Sequence, residues 1–592
     1  MYKLFGASSD NKMLQQLFRK SEISWAVYDL SKAVGPIIDL VFVSLFIGTA
    51  GVTVIGYVSP LIMLFELIGT DISSGSRNKT SSLLGAGKID EANSAFSTSV
   101  ITGGTVSLTI VIGTVIFCST VTLLLGARDP QIFAMTKSYI LGYIVGLPFF
   151  SLTRILTTYL EIEGQYQRVN LVSIMTTVID IGADAFVIFV LHGGMFAIGL
   201  ATSLGYIIPF FVAAAFFLPR NKLSVLKFSF RGMSLKMCAE IMRIGAPAGI
   251  IKGSNSVGGM LINNMLTAFK LPYLVAAYGV FSQITVFIRS AWFSPANNLQ
   301  LFASILIGEE DITSLKEIQK TSFIHAFICS FSAAAISFAF AAPLARIFLK
   351  SNDPEAFTMT VECIRIASLS VPFHAIVYVF NQYLMAVKRL RFGSVYSFMI
   401  ECGSIVPVTL CMLWLIGYHG AWVSKVISMF ILTMIAAGYV YMHKGGETFR
   451  DKMLLLPSDF GIKPEDDMAL SASSTEEIVD LSRLAVAFAS EHGADVARAK
   501  TFGLLTEELA GVLTEHGFSD GKTHNINARL LAKGEELIIR MRDDCKPFNM
   551  TEYYKTLAED REQNAGLAII MKMSKSVQYT NTLGVNNLIV RI

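Results

Sequence analysis

The stretch Ile179-Asp180-Ile181-Gly182-Ala183-Asp184-Ala185-Phe186 stands in the middle of an apolar run. That run begins at Val169-Asn170-Leu171-Val172 and continues through Val187-Ile188-Phe189-Val190 to Gly193-Gly194. Read as a helix it is long enough to cross a bilayer, and residues four apart share one face about a turn apart. Asp180 and Asp184 then place two carboxylates on one wall of an apolar segment. Ionisable groups in hydrocarbon are costly, so they face a partner, a cavity or an ion path. The stretch predicts a buried site for a charged species.

The surrounding chain reads the same way. Of 592 residues, 53% are hydrophobic and 16% charged, with a mean hydropathy of +0.55; a soluble protein carries roughly a quarter charged residues. Long, nearly uncharged runs recur from about Ile23 to Met442. About twelve segments of about 20 residues fit a ~30 Å hydrocarbon core. They lie near 24–48, 52–74, 95–125, 132–158, 169–191, 195–218, 242–267, 273–303, 320–347, 358–386, 393–416 and 420–442. The expectation is an all-α polytopic membrane protein followed by a charged cytoplasmic domain.

Charge sets the orientation. Arg77, Lys79 and Lys88 follow the second segment; Arg220, Lys222, Lys227, Arg231 and Lys236 follow the sixth; Lys388, Arg389 and Arg391 follow the tenth. The connections at 49–52, 191–195 and 417–419 have no Lys or Arg. The positive-inside rule then puts both termini in the cytoplasm of a cell-membrane protein. Lys3, Lys12, Arg19 and Lys20 precede the first segment without the apolar core of a cleavable signal, so that segment is expected to direct insertion itself. A net charge of +3 gives no field for nucleic acid. The seven cysteines form no CxxC pair and read as small core residues.

The two halves repeat. Pro148-Phe149 and Tyr159-Leu160 recur as Pro372-Phe373 and Tyr383-Leu384 (372 − 148 = 224), and Ser173 and Met175 as Ser397 and Met399 at the same offset. Gly56-Tyr57-Val58-Ser59 echoes Tyr278-Gly279-Val280-Phe281-Ser282. With roughly six spans per half the repeat is parallel, a transporter plan with its site within or between the lobes. The expected domains are a cytoplasmic segment 1–22, a first six-helix lobe 23–219 and an interlobe loop 220–241. A second lobe 242–442, a linker 443–472 and a cytoplasmic domain 473–592 follow.

From about 15 to 445 the chain resembles the multidrug and toxic compound extrusion (MATE) transporters. The residues that carry this are Ile37-Ile38-Asp39-Leu40-Val41-Phe42-Val43, Leu84-Gly85-Ala86-Gly87-Lys88-Ile89-Asp90-Glu91-Ala92, Tyr159-Leu160-Glu161-Ile162-Glu163-Gly164 and Ile244-Gly245-Ala246-Pro247. The resemblance implies a twelve-helix, two-lobed antiporter that exports organic solutes against inward Na⁺ or H⁺ flow. It also implies a first-lobe cation or proton site on Asp39, Asp180, Asp184 and Thr202. The family pattern has Asn where this chain has Asp180, which adds a carboxylate. Oxygen ligands of this kind suit a hard cation such as Na⁺. They suit protons equally, since packed carboxylates in low dielectric cannot all ionise. Binding there is expected to bend or repack the first helix, where Pro36 permits a kink.

The second lobe offers a polar set of Lys252, Asn255, His374, Asn381 and Glu401, with Lys252 read either as paired with Glu401 or as facing a water-filled cavity. Arg154, Glu66 and Arg289 read either as ion-pair members or as cavity lining, and Leu61-Ile62-Met63-Leu64-Phe65 as adaptable drug-cavity wall or plain packing.

The tail, 473–592, resembles the GHKL ATP-binding domains of the anti-sigma-factor serine kinase type. The carrying residues are Leu505-Thr506-Glu507-Glu508-Leu509, Arg542-Asp543-Asp544-Cys545-Lys546-Pro547-Phe548 and Gly566-Leu567-Ala568-Ile569. An α+β sandwich is expected. Helices would start at Ser474-Thr475-Glu476-Glu477 and span 496–516 and 565–576; strands would run from Thr523 to Leu530, Glu536 to Met541 and Asn587 to Ile592, with Gly534 in a turn. The motif residues are eroded. The Mg²⁺-binding Asn falls at Val512, the Gly of Asp-x-Gly at Cys545 and the second Gly of Gly-x-Gly at Ala568. Glu508, Asp543 and Gly566 remain as nucleotide-binding candidates, but ATP turnover is not expected. The tail is read as a regulatory module, with a cytoplasmic protein as a partner it would suit. Rival readings are a lipid-linked sugar flippase of the same superfamily, for which Arg154, Lys252 and Arg289 would meet an anionic substrate, and a membrane-bound anti-sigma-type serine kinase or sensor.

Overall fold

A computed structural model of the chain describes residues 10–592 apart from 48, 126, 128, 219–225, 229–232, 269–271, 349–353, 444, 459, 473–474, 518–525, 547 and 557–564. The expectations resting on the Pro36 side chain, Arg220, Lys222, Arg231, Ser474, residues 523–525 and Pro547 lie outside the described residues. The first half runs α1 (Asp10–Phe46), α2 (Thr49–Gly85), α3 (Ile89–Ile116), α4 (Cys118–Leu124), α5 (Pro130–Tyr143), α6 (Leu147–Ile162), α7 (Tyr166–Phe189) and α8 (Met195–Phe216). The second runs α9 (Leu235–Ala268), α10 (Pro272–Gly308), α11 (Ile312–Ala339), α12 (Ala341–Phe348), α13 (Pro354–Ser368), α14 (Val371–Ala386), α15 (Leu390–Phe398), α16 (Ile405–Ile416) and α17 (His419–Tyr441), with a π-helical turn at Met399–Gly403.

Among the described residues, seven helical segments are long and apolar enough to cross a membrane, and α13–α14, bent by 46°, makes an eighth. Helices α1, α2, α9 and α10 have 34–37 residues each, about 50–55 Å at 1.5 Å per residue. Their apolar runs are interrupted by Asp39, Glu66, Asp71, Arg77, Lys252 and Arg289. Length and composition thus mark up to eight spans among the described residues.

The repeat survives in three dimensions. Helices α6 and α14 both have 16 residues, start 224 positions apart (371 − 147 = 224) and carry proline in the first turn, where its missing N–H costs nothing. Four turns share one helix-ending motif, with paired backbone bonds from the last turn. These are Gly87 N to Leu84 O with Lys88 N to Leu83 O, Gly164 N to Glu161 O with Gln165 N to Leu160 O, Glu310 N to Ile307 O with Asp311 N to Leu306 O, and Lys388 N to Met385 O with Arg389 N to Leu384 O. The pivotal residue has positive φ in each: +74° at Gly87, +70° at Gly164, 57° at Glu310 and 58° at Lys388. Only the first half uses glycine.

The halves meet where α2 lies along α9 and α10, and α1 lies along both α7 and α10. Backbones touch at this seam. A Cβ on Gly75 would sit 2.0 Å from Ile241 O, one on Gly245 2.0 Å from Asp71 O, and one on Gly85 2.2 Å from Ile305 O.

After α18 (Phe449–Lys452) the tail forms β1 (Asp467–Ala472), α19 (Thr475–Glu491), α20 (Val496–Gly517), β2 (Ile526–Lys533), β3 (Glu536–Asp543), α21 (Met550–Thr556), α22 (Ala565–Met573), β4 (Ser576–Thr582) and β5 (Val585–Arg591). The sheet order is β1-β2-β3-β5-β4, antiparallel throughout. Alternation decides its two faces. Ala528, Leu530, Ile539, Met541, Leu588 and Val590 pack with Phe488, Phe502 and Leu567 of the helices. The intervening side chains, Arg529, Arg540, Arg542 and Asn587 among them, turn to the membrane-domain turns. With both faces covered, β2 is buried at every position from Ile526 to Ala532. Strand β1 falls in the stretch read as linker, and β4 was not anticipated; both are edge strands whose polar composition hides them.

Candidate functional site

Helix α7 presents Asp180 and Asp184 toward α1 and α8; Asp184 is fully buried and Asp180 is 9% exposed. Helix α1 brings the Asp39 carboxyl against Asp184, and α8 brings the Thr202 hydroxyl beside Asp180. The approach is close because the neighbours are small. A Cβ on Gly35 of α1 would lie 3.5 Å from Asp180 Oδ2, and one on Gly205 of α8 3.0 Å from Asp180 Cβ. The predicted quartet is thus assembled as one cluster, with Tyr139 of α5, itself buried, in its neighbourhood.

The cluster is short of donors. Asp39 Oδ1, Asp180 Oδ1 and both Asp184 oxygens are buried without a hydrogen-bond partner, and Thr202 Oγ1 donates to Ile198 O at 3.3 Å. Buried polar atoms are nearly always paired. Touching carboxyls without donors call for a proton between them or a cation beside them. Among the described residues no three His, Cys, Asp or Glu side chains are arranged to hold a metal ion. The geometry brings the acids together pairwise, Asp39 against Asp184 with Asp180 beside them. A shared proton fits it.

The second-lobe set is arranged differently from the expectation. Lys252 Nζ pairs with Glu66 at 3.1 Å, across the lobe seam, and not with Glu401. Helix α9 lies along α2, so its lysine meets the α2 acid. Glu401, on the π-helical turn, accepts from Asn255 Nδ2 at 2.9 Å and lies 3.8 Å from His374 Nε2. His374 stacks on Trp292 at 5.3 Å, the setting of a core histidine. Asn381 accepts from Ser397 Oγ at 3.1 Å, deeper in the lobe. Asn255, His374 and Glu401 thus share one polar layer, while Lys252 turns to the seam and Asn381 stands apart by its contacts. Arg154 donates to Tyr28 at 2.7 Å and Arg289 pairs with Asp29 at 3.0 Å, so each cation weighed for an anionic substrate is engaged.

Asp71 is no part of the predicted set. Its Oδ1 is buried without a partner, and it borders a cavity of about 410 Å³ lined also by Leu67, Gly249, Gly253, Ser254 and Phe398. Its place in an apolar run was the available signal. The Leu61–Phe65 stretch does not line that cavity; Met63 and Leu64 are exposed and Phe65 is core.

In the tail, Glu508 of α20 sits on the start of α22, where a Cβ on Gly566 would lie 2.1 Å from Glu508 Oε2. Asp543 is separately engaged: its Oδ1 accepts from Asn586 Nδ2 at 2.7 Å and Cys545 N at 3.1 Å. Burial pushes its carboxyl above the usual aspartate range.

The MatE family model matches residues 29–186 and 247–413, just over half of the chain. The chain is similar to the multidrug export protein MepA of Staphylococcus saprophyticus, 21% identical over 435 residues that cover 72% of this chain and 95% of that protein. It is also similar to the probable multidrug resistance protein YoeA of Bacillus subtilis, 23% identical over 340 residues, 54% of this chain and 71% of that one. Its fold matches the outward-facing structure of a multidrug resistance MATE family transporter of the MOP superfamily, with a TM-score of 0.68 at 16% identity over 72% of this chain and 94% of the other. A Vibrio cholerae MATE transporter gives 0.68 at 17%, over 73% and 96%. The family match ends at residue 413, short of the tail.

Proposed function

Because the chain belongs to the MatE family, we propose that it is a secondary transporter of about twelve spans that exports organic, drug-like solutes in exchange for protons. In this reading both termini and the tail are cytoplasmic. The observation that carries it is the Asp39–Asp184 carboxyl contact, buried and without a donor, with Asp180 and Thr202 beside it. One proton can satisfy such a pair, whereas a hard cation needs a shell of oxygens.

The coupling follows from where α1 lies. It holds Asp39 against Asp184 of its own lobe and also runs along α10 of the other. With the proton in place the two carboxyls attract; without it they repel, and α1 is pushed from α7. A shift of α1 reaches the seam directly, so protonation biases which side of the seam is open. The drug-like solute class rests on the export proteins the chain resembles. The flippase reading is not favoured, since Arg154, Lys252 and Arg289 are engaged with Tyr28, Glu66 and Asp29. The tail keeps its reading as a GHKL-like regulatory module without ATP turnover, supported by Val512, Cys545 and Ala568 at the motif positions.

The test is efflux of a panel of cationic dyes from proteoliposomes holding the full chain, under an imposed pH or Na⁺ gradient. A pH gradient is expected to drive efflux and Asp184→Asn to abolish most of it. Undiminished efflux in Asp184→Asn would sink the site, efflux driven by Na⁺ alone would sink the proton, and no dye movement under either gradient would sink the transporter reading.

A further inference from the structure

We propose that the C-terminal domain is a latch that holds the cytoplasmic ends of the two lobes together, with Glu309 as the residue it grips. The inference deepens the transporter reading and rests on it for the effect on transport, though not for the conformational effect.

The sheet face turned away from the helices is spread over turns from both halves. On the first half, Leu583 N donates to Ile162 O at 2.8 Å. The β4–β5 turn there presses so closely that a Cβ on Gly164 would lie 1.9 Å from Gly584 N, and one on Gly87 2.5 Å from Gln578 Oε1. The two glycines of the first-half turns therefore serve the docking as well as their positive φ. On the second half, Arg529 donates to Glu309 O at 3.1 Å and Glu310 O at 3.2 Å, and Lys533 pairs with Glu310 at 2.8 Å. Arg540 and Arg542 both pair with Glu309, and Asn587 donates to it at 3.3 Å. Arg540 also donates to Gly85 O at 3.0 Å, so one side chain ties α2 to α10.

Charge explains the choice of partner. The cytoplasmic turn Gly308-Glu309-Glu310-Asp311 has three acids and no Lys or Arg, against the positive-inside trend of the neighbouring loops. Arg529, Arg540 and Arg542 supply the missing cations from the tail. The Glu309 side chain is 1% exposed and Arg540 8%, so this is a desolvated cluster, and removing the Glu309 carboxylate takes from Arg540 and Arg542 the acid they share, while Arg529 keeps Asp467 at 2.7 Å.

The seam beneath explains what the latch holds. A Cβ on Gly85 would lie 2.2 Å from Ile305 O, and one on Gly308 2.3 Å from Ser82 O. Opening toward the cytoplasm must part these segments, and the sheet spans both.

The experiment labels the full chain in nanodiscs at Asp90→Cys and Lys320→Cys, both exposed, one per half. Cys238, Cys329 and Cys411 are replaced by serine, and the distance is read by double electron–electron resonance. Glu309→Arg sets four cations against one another. It is expected to raise the ratio of longer to shorter distances about tenfold or more and to speed dye efflux. A distribution that superimposes on the unmodified chain would overturn the proposal. Should Glu309→Arg not give monodisperse protein, Arg542→Gln removes the same pair from the tail side and is expected to shift the distances likewise, with the same overturning result. A distance shift without any efflux in either protein would refute the transporter reading and keep the latch; efflux without a distance shift would do the reverse.

Discussion

Gly245→Ala is the sharpest probe of the seam between the lobes. The added Cβ would lie 2.0 Å from Asp71 O and 2.3 Å from Asp71 Oδ1, while a carbon and a carbonyl oxygen rest at about 3.3 Å or more. Helices α2 and α9 would have to part locally by roughly 1.3 Å. The neighbouring contact resists this, since Gly75 already meets Ile241 O one turn away. Overpacking of this kind costs about 1–3 kcal/mol. The cost falls on the conformer in which α2 and α9 touch and is relieved when the lobes part. The equilibrium should therefore move toward the cytoplasmically open form by roughly 5–150-fold. Ser74 reports this: it is 7% exposed and accepts from Gln300 of the other half at 3.0 Å. Alkylation of Ser74→Cys by an impermeant maleimide from the cytoplasmic side should accelerate by that factor in Gly245→Ala. Gly259→Ala, with nothing within 4 Å of its added Cβ, should leave the rate alone. An unchanged rate in folded Gly245→Ala would show that the α2–α9 contact does not limit opening.

Two further outcomes are expected. The Arg77–Glu161 pair is buried, at 5% exposure on each side and 2.9 Å apart. Glu161→Gln should then destabilise the first lobe by about 3–5 kcal/mol, read as a lowered Tm, and Arg77→Met in the same chain should restore much of it. Hydrogen bonds from Lys316 and Thr448 lower the Asp451 carboxyl from the ordinary 3.8 to about 2. Its contribution is complete above the ordinary value and lost as pH falls through about 2. Amide exchange at Met453 and Leu454, corrected for intrinsic rates, should therefore hold steady from neutrality to about pH 4 and rise below it, and Asp451→Asn should remove that step.

How much was legible in the sequence differs by residue. The acids Asp39, Asp180 and Asp184 were legible because a charge in an apolar run is rare and expensive, and the structure gathers them. The Pro148 and Pro372 offset marked the repeat because proline is tolerated at so few helix positions. The partner of Lys252 was not legible: a lysine can reach several acids, and only the α2–α9 packing selects Glu66 over Glu401. Glu309 was hidden for another reason. An acid in a turn reads as solvated surface, and only the docking of a domain more than 200 residues later buries it. Strands β1 and β4 lie at the sheet edges, where polar residues such as Asp467 and Gln578 blur the two-residue period that made β2, β3 and β5 readable.

The π-helical turn at Met399–Gly403, closed by Ser404 N to Met399 O at 3.1 Å, changes the phase of everything after it. Up to Met399 the halves are in step, Ser173 with Ser397 and Met175 with Met399. One residue taken up in the turn then sets α16 about 100° behind the course of α7. By simple offset Asp180 and Asp184 correspond to Ser404 and Val408 (180 + 224 = 404; 184 + 224 = 408), neither of them acidic and both rotated off the matching wall. The acid of this helix is Glu401, carried on the turn itself with its carbonyl against Gly258. A molecule built of two matching halves thus becomes chemically one-sided through a single step of helical phase.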